Sequence, residues 1–408
     1  MESSLSNALR ISRRFSQRSV MEAIVQGGPI SRASIAKQTG LSKQTISEVV
    51  KVLEQEGWVQ ETGRTSGHVG RTAVTYELLH QAAYIVAVDL GGTKVRVALT
   101  DLACHIFAED VAPTDHRGGQ FIVDQIVAMT LRAALRQRIP REKIRLGVIG
   151  VPGAPDDASG RVMLAPNIPG FDQMDVASAF EQAFGFVVTI ENDVNLAVLG
   201  ENWQGRGQGI DNLAYVALGT GIGSGLMVGG HLVRGASHAA GEMGFLPFGG
   251  DPFAPESLRS GAFERVVATH AIIERYEAAS GRRVGVPAIF ENAAEGEKEA
   301  LAVIDEIARY LARGIAAIAA IANPEKVILG GSIGLRPEIF TRVKTLLPQC
   351  FPYPILVEPS DLGPRAALIG AAAIGLGHLH NTLFGFDAPD SRISLPPAQS
   401  GAMREAAQ

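Results

Sequence analysis

Two short glycine turns, each set between apolar strands, constrain this 408-residue chain more than any other feature. The first follows Tyr84-Ile85-Val86-Ala87-Val88 and reads Asp89-Leu90-Gly91-Gly92-Thr93-Lys94, with a second strand from Val95 to Thr100 directly after it. Without Cβ atoms such a turn lets backbone N–H groups close on an anion; Thr93 can donate a hydrogen bond, and Asp89 can hold a magnesium-bound water. Alone, the motif is equally an ordinary hairpin. The second run, Leu218-Gly219-Thr220-Gly221-Ile222-Gly223-Ser224-Gly225, lies between the strands Leu213 to Ala217 and Leu226 to Val228. Two phosphate-type turns in one chain are a poor fit to chance. A third, Gly330-Gly331-Ser332-Ile333-Gly334, follows the strand Lys326 to Leu329 and suits a nucleotide base or ribose.

Between the first two turns, Val187-Val188-Thr189-Ile190-Glu191-Asn192-Asp193-Val194-Asn195 reads as a strand that delivers an amide and a carboxylate to the opening of a helix. In a phosphotransferase this carboxylate would take the proton of an attacking sugar hydroxyl while the amide orients its neighbours. The plainer reading is helix capping by Asn192 or Asp193. Further on, Ala240-Gly241-Glu242-Met243-Gly244 places Glu242 in a glycine-rich turn, where a carboxylate can accept bonds from sugar hydroxyls.

Residues 1 to 80 have a different texture. Val20, Ile24 and Val25 share a helical face between Arg18 and Gln26, and Gly27-Gly28-Pro29 ends that helix. A short second helix follows Ser31, with Ile35 and Ala36 inward, and stops at Thr39-Gly40-Leu41. Ser42 then caps a third, whose inward face is Ile46, Val49, Val50 and Leu53. A helix, a glycine turn and a capped helix describe a helix-turn-helix, in which the start of the last helix enters the major groove. That start supplies Ser42, Lys43, Gln44, Thr45 and Ser47 as candidate DNA contacts. Trp58-Val59-Gln60-Glu61 and Ala73-Val74-Thr75-Tyr76 read as strands flanking a basic wing, Gly63 to Arg71, with Arg64 and Arg71 suited to phosphate or a narrow minor groove. The alternative is a helical protein-interaction module.

Charge supports the division. The first 80 residues hold ten Lys/Arg and seven Asp/Glu, a formal +3, and the remainder is −8, so only the head favours phosphate. Two cysteines, Cys104 and Cys350, are too few for a disulfide framework or a cysteine-rich zinc site and read as buried thiols. Neither a leader's apolar segment nor a bilayer-length run is present, so a cytoplasmic protein with no membrane partner is expected.

Taken together, these motifs resemble the ROK family (repressors, open reading frames and kinases), from the head through about residue 386. Leu218 to Gly244 follows the family signature, and the head, with Ser31-Arg32 and Gly40-Leu41-Ser42-Lys43, is similar to that of the family's repressors for xylose and N-acetylglucosamine. The resemblance implies a winged helix-turn-helix (1–80), then a two-lobed, actin-like α/β sugar-kinase body. Its small lobe would be 83–198 plus 366–386, its large lobe 199–365, and a disordered tail would follow over 387–408. It further implies ATP or phosphate binding by Asp89, Gly91, Gly92, Thr93, Gly219, Thr220, Gly221, Gly223 and Gly331. Sugar binding would fall to Gly153, Asn167, Asn192, Asp193, Glu242 and Glu264, with Asp193 the base of any kinase reaction, and the chain would form a homodimer or homotetramer. One departure stands out. Phe245 occupies the place of the family's usual histidine, and Pro247 to Gly261 contains no cysteine, so no structural zinc is expected and the sugar contacts should differ.

Three functions follow. The preferred one is a regulator, most simply a repressor, that binds double-stranded operator DNA and answers to a sugar or sugar derivative. It requires no cofactor. The second is an ATP- and magnesium-dependent sugar kinase carrying a DNA-binding head; the third is a body that only dimerises, which the cost of burying Glu242 and Asp193 without a partner disfavours.

Overall fold

The computed structural model of the chain describes residues 2–65, 73–156, 158–165 and 167–384. The tail expected over 387–408 and the wing tip with Arg71 lie outside the described residues.

In the head, no glycine or proline interrupts residues 2–26, and the first helix accordingly runs the whole way: α1 (Glu2–Gly27) starts well before Arg18, where periodicity alone began it. β1 (Ile30–Ser31) leads into α2 (Arg32–Thr39), whose first turn is closed by Ser31 accepting from the Ser34 N–H. Gly40 adopts φ +70, the left-handed cap that lets the chain turn at once. Ser42 then accepts from the Thr45 N–H to start α3 (Lys43–Gln55). β2 (Val59–Thr65) and β3 (Ala73–Leu78) complete a three-stranded sheet in the order β1-β3-β2. Ile46, Val49, Val50 and Leu53 of α3 join Val20, Ile24 and Ile35 in a closed core.

The body opens with an antiparallel meander, β4 (Tyr84–Leu90), β5 (Lys94–Asp101) and β6 (Ile106–Pro113), followed by α4 (Gly119–Arg136) and β7 (Ile144–Val151). A two-residue pair, β8 (Ala154–Pro155) with β9 (Val162–Met163), precedes α5 (Val176–Phe184) and β10 (Val187–Asn192). β7 and β10 extend the meander in parallel, giving the order β10-β7-β4-β5-β6. After α6 (Asp193–Gln204) the pattern recurs. The meander β11 (Leu213–Leu218), β12 (Ile222–Val228), β13 (His231–Leu232) is followed by α7 (Pro255–Ser260), α8 (Glu264–Val267), α9 (Thr269–Ser280), α10 (Val286–Ala294) and α11 (Lys298–Ala322). Then β14 (Lys326–Gly330), α12 (Gly331–Gly334), α13 (Pro337–Cys350) and β15 (Leu356–Pro359) complete a second sheet, ordered β13-β12-β11-β14-β15. The last described helix is α14 (Ala366–Phe384).

α6 and α14 pack together in a core that also takes Ile85 and Ala87 from the first sheet and Leu213, Tyr215 and Ile328 from the second. They approach so closely that a Cβ on Gly370 would lie 1.8 Å from the Leu196 carbonyl oxygen, and one on Gly200 2.2 Å from that of Ala366. The lobe boundary expected at 198 therefore falls inside a continuous helix, α6. Trp58 and Leu78 of the head pack against this same central core, and α1 touches α14. Cys104 is buried as expected, but Cys350 is exposed because it ends α13 at the surface.

Candidate functional site

At the head, Ser42, Lys43 and Gln44 are exposed at the start of α3, and Thr45 and Ser47 are half-buried. Their duties differ. Ser42 Oγ lies 2.8 Å from Thr45 Oγ1 and also caps the helix, so these two hydroxyls build the recognition turn. Gln44 Nε2 donates to Glu48 Oε1 at 3.2 Å, and the outward Lys43 supplies a cation at the tip. Arg64 lies on β2 opposite Val74.

In the body, the C-terminal ends of β4, β7 and β10 bring the small-lobe candidates together. Asn192 caps α6 by accepting from the Val194 and Asn195 N–H groups, and its Nδ2 donates to the Gly153 carbonyl at 2.9 Å. Asn192 thus caps the helix, as the plainer reading expected, and ties its start to the 153 loop in the same act. Gly92 faces Asn167: a Cβ there would stand 2.9 Å from Asn167 Cβ, so the first glycine turn and the 167 loop form adjoining walls. The turn is braced by the Gly91 N–H donating to the Lys94 carbonyl at 2.9 Å and by Thr114 Oγ1 donating to Gly91 O at 2.7 Å.

The large lobe contributes the second turn, which is shorter than its sequence. Only Gly219 to Gly221 turn; Ile222 to Val228 are strand, and Gly223 pairs with Ala217. A Cβ on Gly223 would meet a Val194 methyl at 3.0 Å, and one on Gly225 the Val194 carbonyl at 2.3 Å. These two glycines admit the first turn of α6, and Gly223, expected in the phosphate turn, lies on the strand that follows it. Gly331, with φ +77, sits against the Leu218 backbone, and Ser332 stands beside Gly219, so the third turn flanks the second. Thr220 is exposed at the tip. Glu264 Oε2 accepts from the Ile222 N–H at 3.0 Å and packs on Gly221, holding the turn as well as facing the site.

Four carboxylates accumulate here. Burial, then the charge of Asp89, pushes Asp193 up to about 8, with Glu242 adding to the effect and the Val194 N–H opposing it. Burial raises Asp89 to about 6 against the pull of Arg96. Glu242 rises to about 7 through burial and the neighbouring Glu264, which burial also raises. Asp193 thus feels carboxylates from both lobes. Such a concentration of hard oxygen donors suits a ligand rich in hydroxyls, and beside the glycine turns it suits the water shell of a magnesium ion.

Sequence reading missed the support behind these residues. Glu191, fully buried, accepts from the Asn192 N–H at 2.9 Å and from Asn195 Nδ2 at 3.0 Å, and Arg234 Nε donates to its second oxygen at 2.8 Å. The ion pair crosses from β10 to the loop after β13, tying the strand that delivers Asn192 to the segment that leads to Glu242. A carboxylate on the last step of an apolar strand was its one visible signal.

A ROK-family sequence model matches residues 85–377. The chain belongs to the ROK family. A MarR-family model matches residues 12–71, over the winged helix. This ROK chain is 27% identical over 376 residues to the xylose repressor of Bacillus subtilis (strain 168), covering 90% of the chain and 96% of the relative. A solved ROK-family transcriptional regulator, described as a homolog of the E. coli MLC protein, superposes with a TM-score of 0.74 at 21% identity, over 91% of this chain and 98% of that one; at that identity the likeness shows the fold. The body alone matches the ROK-family glucokinase of Streptomyces griseus, solved with glucose and AMPPNP, with a TM-score of 0.60 and 27% identity over 72% of this chain and 99% of that one. Among the described residues no helix is long and apolar enough to cross a membrane.

Proposed function

We propose that this ROK protein is a DNA-binding transcriptional repressor of carbohydrate metabolism or transport genes, whose hold on its operator depends on a sugar or sugar derivative bound in the body. One observation carries the reading: a recognition helix with its polar start exposed is joined, in one chain, to a body in which carboxylates of both lobes converge on Asp193. The xylose repressor likeness, which runs through head and body alike, supports it.

In this reading Asn192, Asp193, Glu242 and Glu264 bond sugar hydroxyls, and Gly153 and Asn167 shape the wall beside them. Ligand oxygens draw Asn192 and Glu242 toward one another across the Glu191–Arg234 pair. α6 begins at Asn192, α14 crosses α6 at Gly200 and Gly370, and α1 rests on α14, so a shift of the lobes has a packed route to the head. In a homodimer or homotetramer such a shift alters the spacing of two heads, which must match half-sites about 34–36 Å apart. A coupling of about 1–3 kcal/mol changes operator affinity about 5- to 150-fold. The test is a titration of DNA from upstream of this gene and its neighbours, at one stated salt concentration, with a panel of sugars and sugar phosphates. One compound that shifts the affinity severalfold supports the reading; DNA binding indifferent to every compound removes it.

A kinase is the second reading, favoured by Asp193, whose proton affinity near neutrality suits a general base. Asp193 would take the proton of the attacking hydroxyl while Gly91, Gly92, Thr93 and residues 219–221 hold the phosphates of ATP. Asp89 would hold a magnesium ion, which would neutralise phosphate charge when bound. Sugar-dependent ADP release lost in Asp193→Asn establishes this activity, and no release with any sugar ends it.

A further inference from the structure

Outside the cleft, the joint between head and body gathers three metal-ligating side chains. His80 starts the short turn His80–Ala82 that links β3 to β4, Asp101 ends β5, and His105 directly precedes β6. One ligand atom from each lies within 4.8 Å of the other two, the one such group among the described residues. We propose that His80, Asp101 and His105 bind a divalent transition-metal ion of the zinc class, fastening the head's connector to the β5–β6 hairpin of the body.

The chemistry is that of two imidazoles and one carboxylate, a donor set that zinc accepts with a further position left to water. Asp101 is positioned for it. Its carboxylate is 1% exposed at the residue level; Oδ1 accepts from the Ala103 and His105 N–H groups, each at 2.9 Å, while Oδ2 lies 3.0 Å from His105 Nδ1. A turn-closing aspartate accounts for the two backbone bonds, and for nothing about His80. That histidine is held beside the hairpin independently, by the Leu102 N–H donating to its carbonyl at 3.1 Å, and its ring centroid lies 5.7 Å from that of His105. An ion about 2.0–2.2 Å from each donor asks the three atoms to close by about an ångström, within reach of small rotations of two partly exposed histidines. Cys104, between the ligands in sequence, is buried in the central core and has its thiol pushed up to about 12, chiefly by burial, so it remains a packing group.

The site is distinct from the Phe245 to Gly261 segment and from the cleft, and the metal claim stands whether or not the body proves to be a sugar sensor. Its physical consequence is local: an ion coordinated from both sides of the joint restricts how the head tilts on the body.

The experiment uses full-length, tag-free protein stripped with EDTA, titrated with zinc by calorimetry and with cobalt by visible absorbance. One equivalent per chain is expected, with the absorption bands of low-coordinate cobalt. Its affinity should fall tenfold or more in His80→Gln and in His105→Gln, and the double variant should not bind, with circular dichroism unchanged to show that each remains folded. Absence of a saturable equivalent in the parent, or tight binding retained in the folded double variant, overturns the proposal.

Discussion

The head and the cleft present their polar groups in opposite ways. At the start of α3, Ser42, Lys43 and Gln44 are exposed, and their cost in the free protein is small. In the cleft, burial raises Asp89, Asp193 and Glu242, and neighbouring carboxylates add to the rise at Asp193 and Glu242. The head therefore gains affinity from what it meets in DNA, whereas the cleft stores an electrostatic cost that a suitable ligand relieves. A ligand that relieves it in one lobe arrangement more than another shifts the balance between them, which is what a sensor requires.

The sharpest way to break this contrast is at the rigid crossing beneath the cleft. Gly370→Ala forces a methyl onto the Leu196 carbonyl and should cost about 3 kcal/mol or more in thermal unfolding of the body. A loss under about 1 kcal/mol would mean the lobes give way easily there. Next, Arg234→Ala strips buried Glu191 of its charged partner, costing about 1.5–3 kcal/mol and weakening sugar affinity, read by calorimetry, while operator binding without sugar stays close to parental.

pH separates the regions further. Asp193, Glu242 and Asp89 bind protons more tightly folded than unfolded, so their contribution to stability is complete below about pH 4 and is lost as pH rises through about 6 to 8. The melting temperature of the ligand-free protein should thus fall by a few degrees between pH 6 and 8.5, and Asp193→Asn should flatten that slope. An unaltered slope in the variant assigns the effect elsewhere. In the head, Lys43→Ala should weaken binding to all DNA sequences alike and lower the salt slope by about 1. Ser42→Ala, which loses a cap bonded to the Thr45 N–H, should cost about 1 kcal/mol of head stability.

Which parts could be read beforehand follows from how local their physics is. Ser31, Gly40 and Ser42 act within a turn of their own positions, so the winged helix was legible apart from β1, whose two residues are too short to show a period. Asn192 and Asp193 were legible because a strand ending in a capped helix is a local pattern. Glu191 and Arg234 were not, since their pairing spans 43 residues and depends on how the lobes face each other. Separation along the chain likewise hid the purpose of Gly223 and Gly225, which read as turn residues until the approach of Val194 is seen. Cys350 was misjudged because burial at a helix end depends on neighbours far along the chain.

Thermodynamic linkage provides the most direct test of the central claim. Sugar affinity should be measured by calorimetry on the full-length protein, with and without saturating operator DNA at one salt concentration. The two affinities should differ by the factor by which that sugar changes DNA affinity, about 5- to 150-fold. Equal affinities with and without DNA would contradict it.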